Sequence, residues 1–139
     1  MHKLALFALT LFTTTANANQ LIVEAFYDKD TRLVNVQLAE RVASVKSYDL
    51  SAPDQFEKQL SEGLSSDPTI AQKQAKERIE QHGNEIQHQL MAAYEGALIA
   101  MKYEINKIPA IVFNGGEHVI YGVNDVNKAI SIYKEQVAQ

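Results

Sequence analysis

The chain of 139 residues contains no cysteine, and this absence limits more strongly than any other feature how it can fold and act. Small exported domains commonly use disulfides to compensate for a limited core, whereas this chain has to be stabilised by side-chain packing alone. Every mechanism that requires a thiolate is excluded for the same reason. We therefore expect a single domain with a filled apolar core, for which about 120 residues are sufficient.

The first residues have the pattern of a secretory signal. A weakly basic start, Met1-His2-Lys3, is followed by the apolar residues 4–12 and by the small-residue motif Ala16-Asn17-Ala18. We predict a signal peptide over residues 1–18 and a mature domain over residues 19–139. The apolar run is much shorter than the ~20 residues of a membrane-spanning helix. We therefore expect a periplasmic protein with no membrane span after cleavage.

The charge balance of the mature chain bears on its partners. One of the 13 Lys and Arg residues, Lys3, lies in the predicted leader, so 12 basic residues face 17 acidic ones and the formal net charge is −5. Binding to nucleic acid requires clustered Lys and Arg side chains that neutralise phosphates. The sequence contains no such cluster, and we predict no nucleic-acid partner.

Apolar periodicity predicts that strands and helices alternate in the first half of the mature chain. Strands are indicated by runs of β-branched and aromatic residues, and helix ends by capping residues and glycine. The predicted elements are a buried strand over Leu21–Tyr27, a helix from an N-cap at Asp30 or Thr31 to about Ala43, a strand over Val45–Leu50, and a short helix capped by Ser51 and ended by Gly63.

A long helix is predicted to begin at Asp67-Pro68, because Asp accepts hydrogen bonds from first-turn amides and Pro is tolerated at the first helical position. Apolar residues then recur at helical spacing over roughly forty residues. Gly83 and Gly96 each cost about 1 kcal/mol relative to Ala, so a bend is expected at one of them. The polar residues 72–78 are expected to project into solvent, either as a solvated face or as a partner-binding arm. The predicted apolar stripe comprises Ile79, Ile86, Leu90, Ala93, Ala97, Met101 and Ile105.

The last third of the chain predicts a β-hairpin and a terminal helix. Ile108-Pro109 ends the long helix and opens a strand over Ala110–Phe113. Asn114-Gly115-Gly116 then turns the chain into His118–Tyr121, because Asn-Gly between apolar runs is a strong hairpin signal. The final helix is predicted to be capped by Asn124 or Asp125 and to present Val126, Ala129, Ile130 and Tyr133 on one face.

This order of elements predicts an α/β fold with a thioredoxin-like mixed sheet of about four strands, flanking helices and an inserted long helix. Ile108-Pro109 and the strand after it resemble the thioredoxin-fold loop in which a cis-proline lies beside the start of the first helix. In thioredoxins that helix begins with Cys-x-x-Cys, whereas residues 28–33 here read Asp-Lys-Asp-Thr-Arg-Leu. The resemblance therefore implies the fold without its redox activity, and we predict no cofactor.

Three segments are similar to a family of small exported proteins encoded in integrating conjugative elements. They are Val23-Glu24-Ala25-Phe26, Ile108–Phe113 and Val119–Val126, of which the last is the most specific. This resemblance implies an accessory of a conjugative, type IV-like secretion apparatus, with protein components of the envelope complex as partners. A more distant resemblance is to thioredoxin-like pilus-assembly proteins of conjugative plasmids.

The cis-proline loop is the predicted binding site. Backbone exposed just before Pro109 is suited to pair with an extended peptide, as in sheet-edge binders. We expect a peptide or partner site formed by Tyr27, Asp28, Ile108, Pro109 and Gly122. The alternative is that the proline turn serves folding alone.

The sequence contains no recognisable catalytic or metal-binding arrangement. Glu85–His88 forms a Glu-x-x-His motif with His82 before it, but the separation of six residues between the two histidines corresponds to about 600° of helical rotation and places them on opposite faces. His118 has no evident nucleophile partner. We therefore expect a non-enzymatic interaction module. The alternatives are a periplasmic peptide-binding chaperone or folding helper for secreted subunits, and an enzyme related to glutathione-using members of the fold.

Overall fold

A computed structural model describes residues 20–139, so the predicted signal peptide and its cleavage site lie outside the described residues. None of the helices in this part of the chain combines the length and the hydrophobicity that a transmembrane segment requires. The elements are β1 (Ile22–Tyr27), α1 (Val36–Ala39), β2 (Ser44–Asp49), α2 (Ala52–Ser61), α3 (Pro68–Lys102), β3 (Ala110–Phe113), β4 (His118–Tyr121) and α4 (Val126–Val137).

The four strands form one mixed sheet in the order β2-β1-β3-β4. β1 and β2 are parallel, and Phe26 lies opposite Tyr48. β3 runs antiparallel to β1, and β4 runs antiparallel to β3. This confirms the predicted α/β fold, with a thioredoxin-like sheet of four strands, flanking helices and the inserted long helix α3.

One face of the sheet is covered by α1 and α4. Phe113 of β3 stacks on Tyr133 of α4, with 4.3 Å between the ring centroids. The hairpin turn and the terminal helix are confirmed, because both turn glycines have positive φ and Asp125 caps α4 by accepting a hydrogen bond from the Lys128 N–H at 2.9 Å. The core on this face comprises Val23, Ala25, Ala39, Ala43, Ile111, Phe113, Val126, Ala129, Ile130 and Tyr133.

The other face is covered by the C-terminal half of α3. Phe26 stacks on Tyr48 with 5.1 Å between the ring centroids. A β carbon built on Gly96 would lie only 2.9 Å from Cβ of Tyr48. Gly96 therefore permits a close approach of helix and sheet and is not a bend. The core on this face comprises Phe26, Tyr48, Ala100, Ala110 and Val112.

The first helix is much shorter than predicted. Asp30 and Thr31 do not cap a helix, because their N–H groups donate to Oδ1 of Asp28 at 3.0 and 2.8 Å and close a turn. The N–H of Val34 then donates to the carbonyl oxygen of Asn124 at 2.9 Å, and only one helical turn, α1, follows. The prediction was wrong because the chain here pairs with the segment before α4, which apolar spacing does not reveal.

The start of α3 is as predicted. The side chain of Asp67 accepts hydrogen bonds from two first-turn amides, at 2.8 and 3.1 Å. The polar N-terminal part of the helix is anchored on the end of α2, where Arg78 donates to the carbonyl oxygens of Leu60 at 2.6 Å and Glu62 at 3.0 Å. Instead of projecting freely, this part of α3 forms a helical hairpin with α2.

A bend in α3 lies at His82, whose φ of −127° and ψ of 19° are not helical. This is beside Gly83, one of the two predicted positions. The helix ends at Lys102, earlier than predicted. The reason is that Glu104 adopts a φ of 54° and the next N–H, of Ile105, donates to the carbonyl oxygen of Ala100 at 2.9 Å. Such a left-handed residue satisfies the last carbonyls of a helix.

The predicted apolar stripe on α3 is wrong at three of its seven residues, whereas the other four, Ile86, Ala93, Ala97 and Ile105, are partly buried. Ile79, Leu90 and Met101 are 54, 43 and 74% exposed. The buried residues of α3 are instead Gly96 and Ala100. This side of the helix was missed because its two buried residues are small and contribute little to an apolar pattern, although Ile99 also packs against the core there.

Candidate interaction site

The residues predicted to form a peptide site meet at one end of the sheet. β1 ends at Tyr27, which is level with Pro109 in the antiparallel register of β1 and β3. Gly122 follows β4, and its N–H donates to the carbonyl oxygen of Pro109 at 2.9 Å. The peptide bond between Ile108 and Pro109 is cis, as predicted. The sheet therefore brings these residues together from three different strands.

Asp28 follows at the turn where the thioredoxin arrangement places its first helix start. Its Oδ1 accepts the hydrogen bonds of the Asp30 and Thr31 amides. The amides of this turn are thus satisfied by one oxygen of the Asp28 carboxylate, and these bonds close the turn. Asp28 shapes the edge of the candidate site and adds a negative charge to it.

Ile108 is one member of this group whose N–H and C=O are both unpaired. Between residues 20 and 139, neither its N–H nor its C=O takes part in a backbone hydrogen bond. Its side chain is partly buried and packs against the core on the α3 face. A fixed position with an unpaired donor and acceptor is what the addition of an extended peptide to a sheet requires.

A polar cluster that the sequence did not reveal lies on the α3 face of the sheet. Glu24 of β1 accepts hydrogen bonds from the hydroxyl groups of Tyr103 at 2.7 Å and Tyr48 at 3.3 Å. Nζ of Lys46 lies 2.5 Å from Oε1 of Glu95 and 5.0 Å from the centroid of the Tyr48 ring. The sequence does contain one signal for this cluster. Glu24 is the one charged residue of strand β1.

The pKa values of Tyr103, Tyr48 and Lys46 in this cluster are raised above their ordinary values. The hydrogen bond to Glu24, and then burial, raise the pKa of Tyr103 to about 12. The hydrogen bond to Glu95 raises the pKa of Lys46. A tyrosine with so high a pKa keeps its proton and donates a hydrogen bond, and is poorly matched to acid–base chemistry near pH 7. The cluster therefore favours a structural role, joining β1 and β2 to α3.

A groove of about 880 Å³ lies beside this cluster, at the end of the sheet opposite Pro109. Its lining includes the side chains of Glu24, Lys46, Tyr103 and Glu117. The charges are mixed, and Lys46 is already paired. Across the described part of the chain, no group of three His, Asp or Glu side chains is placed to hold a metal ion. The groove thus has no concentration of charge that selects an ionic ligand.

The described residues form a mixed four-stranded sheet with flanking helices, and the candidate site at one end of this sheet includes the unpaired backbone of Ile108. The chain belongs to the DUF1525 family, described as proteins of unknown function, whose sequence model matches residues 34–138. The matched range includes every element from α1 to α4 and leaves out β1. Neither a curated protein nor a solved structure matches the chain.

Proposed function

We propose that this protein is a non-catalytic periplasmic interaction module of a conjugative, type IV secretion-like DNA transfer apparatus. The pattern of a secretory signal over residues 1–18, the absence of cysteine and the three segments that resemble proteins of integrating conjugative elements support this proposal. The observation that carries it is the unpaired backbone of Ile108, beside Tyr27 and Gly122 at the end of the sheet.

An extended segment of a partner protein fits this end of the sheet. Ile108 offers one N–H donor and one C=O acceptor, and each hydrogen bond contributes only about 0.5–1.5 kcal/mol in water. The ring of Tyr27, which is partly exposed, provides an apolar surface next to them. A short peptide that uses these contacts alone is expected to bind with a dissociation constant of about 1 mM, equivalent to about 4 kcal/mol.

NMR titration of the mature protein with a soluble peptide of alternating Val and Thr tests the site. Amide shifts are expected at Tyr27, Ile108 and Gly122, with saturation in the millimolar range. The outer edge of β2 provides the internal control, because shifts of equal size at Ser47 would indicate unspecific pairing with any free edge. Tyr27→Ala should weaken binding while leaving the amide spectrum of the core unchanged. Absence of shifts around Ile108 contradicts the proposed site.

The link to a transfer apparatus requires a separate experiment in a donor strain. Deletion of the gene should reduce the frequency of conjugative transfer, and the wild-type chain should restore it. A tagged protein should be recovered in fixed stoichiometry with components of the envelope complex. Transfer that is unaffected by the deletion contradicts this role.

A second function is supported by the same unpaired Ile108 backbone. A periplasmic peptide-binding chaperone or folding helper would also bind extended segments there, but transiently. Recovery of secreted subunits at low and variable stoichiometry, without the envelope complex, favours this second function over the first.

A further inference from the structure

α3 has a second apolar side that remains exposed. Met91, Leu98 and Met101 are 65, 63 and 74% exposed, and Leu90 beside them is 43% exposed. At about 100° per residue, they lie on the side of the helix away from its two buried residues, which contact the sheet. Single exposed apolar residues are common, whereas several on one side of a helix indicate a contact surface.

A groove of about 460 Å³ follows this side of the helix. It is lined by Leu90, Met91, Tyr94, Glu95 and Leu98. Glu95 is the one charged residue of the lining, and Lys46 of the same chain pairs with it at 2.5 Å. An apolar groove along a helix fits the apolar face of another helix, and methionine side chains adapt readily to such a partner.

We propose that this surface binds the same surface of a second copy of the chain, with the two α3 helices antiparallel. Met91, Tyr94, Leu98 and Met101 are spaced by three, four and three residues, which is the spacing of a coiled-coil seam. The spacing is also symmetric about the level of Gly96. A two-fold axis at that level places Met91 opposite Met101 of the second copy, and Tyr94 opposite Leu98.

In a two-fold dimer, both copies contribute the same surface. This surface must therefore match itself when the direction of the helix is reversed. The exposed Met91, Leu98 and Met101, with the partly exposed Tyr94, form a patch on the order of 300 Å². This is less than the ~800 Å² that each partner of a standard interface buries. The dimer is therefore reversible, and the pairing of Glu95 with Lys46 limits repulsion between the two copies near the axis.

The absence of cysteine permits a direct test of this register. The full mature chain should show a monomer–dimer equilibrium by analytical ultracentrifugation at concentrations up to about 1 mM. Under mild oxidation, a mixture of the Met91→Cys and Met101→Cys variants should form a disulfide-linked dimer. Each variant alone should cross-link at least tenfold more slowly, because like positions are ten residues, about 15 Å, apart along the axis.

Two further variants separate association from folding. Leu98→Glu should abolish dimerisation while leaving the circular dichroism spectrum unchanged. Ile79→Glu changes another exposed apolar residue of α3, outside the surface, and should leave dimerisation intact. A chain that is monomeric at every concentration overturns the proposal and leaves the surface to a different partner. Faster cross-linking of Met91→Cys with itself than in the mixture also overturns it, because it indicates parallel helices.

Discussion

The two faces of the sheet are closed in different ways. Under α4, large side chains fill the space, as in the stack of Phe113 on Tyr133 at 4.3 Å. Under α3, the closest approach is made by a glycine, Gly96, and the contact is completed by hydrogen bonds to Glu24. The packing of the α4 face depends on buried apolar volume, whereas that of the α3 face depends on a close fit and on hydrogen bonds. Substitutions of different kinds should therefore be most damaging on each face.

The largest expected effect is on the α4 face. Phe113→Ala removes a fully buried ring and leaves a cavity against Tyr133, so the free energy of unfolding should fall by about 3–5 kcal/mol. Urea denaturation monitored by circular dichroism measures this change. Val42→Ala, at a position that is 51% exposed, is the control and should change stability by at most about 0.5 kcal/mol. A loss below 1 kcal/mol for Phe113→Ala would mean that packing does not dominate this face.

An intermediate effect is expected where α3 approaches the sheet. Gly96→Ala places a carbon 2.9 Å from Cβ of Tyr48, so the helix has to shift. Overpacking costs about 1–3 kcal/mol, which a gain of up to about 1 kcal/mol in helix propensity offsets in part. Gly83→Ala is the matched control, since a β carbon there has no atom within 4 Å, and it should be neutral or stabilising. Equal unfolding midpoints for the two variants would refute the close approach.

The smallest effect on stability, and a distinct effect on titration, is expected at Glu24. In Glu24→Gln the pKa of Tyr103 should fall from about 12 toward its ordinary value of 10.0, because the carboxylate that favours the protonated phenol is gone. The folded-state pKa of Tyr103 lies above the unfolded value. Its stabilising contribution is therefore complete below pH 10 and is lost as the pH rises through 12, and this loss should be smaller in the variant.

Titration of the Tyr103 ring carbons by NMR measures the shift directly. Glu57→Gln is the control, because Glu57 accepts a hydrogen bond from a different tyrosine, Tyr94, at 2.8 Å. It should leave the titration of Tyr103 unchanged. An unaltered pKa of Tyr103 in Glu24→Gln would show that the hydrogen bond to Glu24 is not what raises the pKa of Tyr103.

On the α4 face, the hairpin turn and α4 could be predicted from the sequence but the length of α1 could not, and on the α3 face the buried side of the helix could not. The turn at Asn114-Gly115-Gly116, the cap at Asp125 and the apolar face of α4 depend on residues close together in the chain. On α3, the expected stripe instead includes the exposed Leu90 and Met101, while the buried side is formed by small residues. Helical spacing identifies apolar sides, but it does not say which of two sides meets the sheet.

The candidate site and the polar cluster could be predicted only in part, because some of their contacts join residues that are far apart in the chain. Tyr27, Pro109 and Gly122 were brought together by the expected strand order, and the sheet places them at one end. The contacts of Glu24 with Tyr103, 79 positions away in the chain, follow from no local pattern. Asp28 closes a turn, but the first helix begins only at Val36 and not directly after that turn.

The sequence by itself determined the α/β order of elements, the approximate positions of the four strands, the starts of α3 and α4, the hairpin turn and the lack of any thiol. These depend on backbone conformation and on chemistry within a few residues. The tertiary structure alone decided that the first helix is one turn long, that the front of α3 is anchored on α2, and that an apolar side of α3 stays exposed. Each of these is set by contacts between distant segments, whose free energies outweigh local preferences that amount to only about 1 kcal/mol per residue.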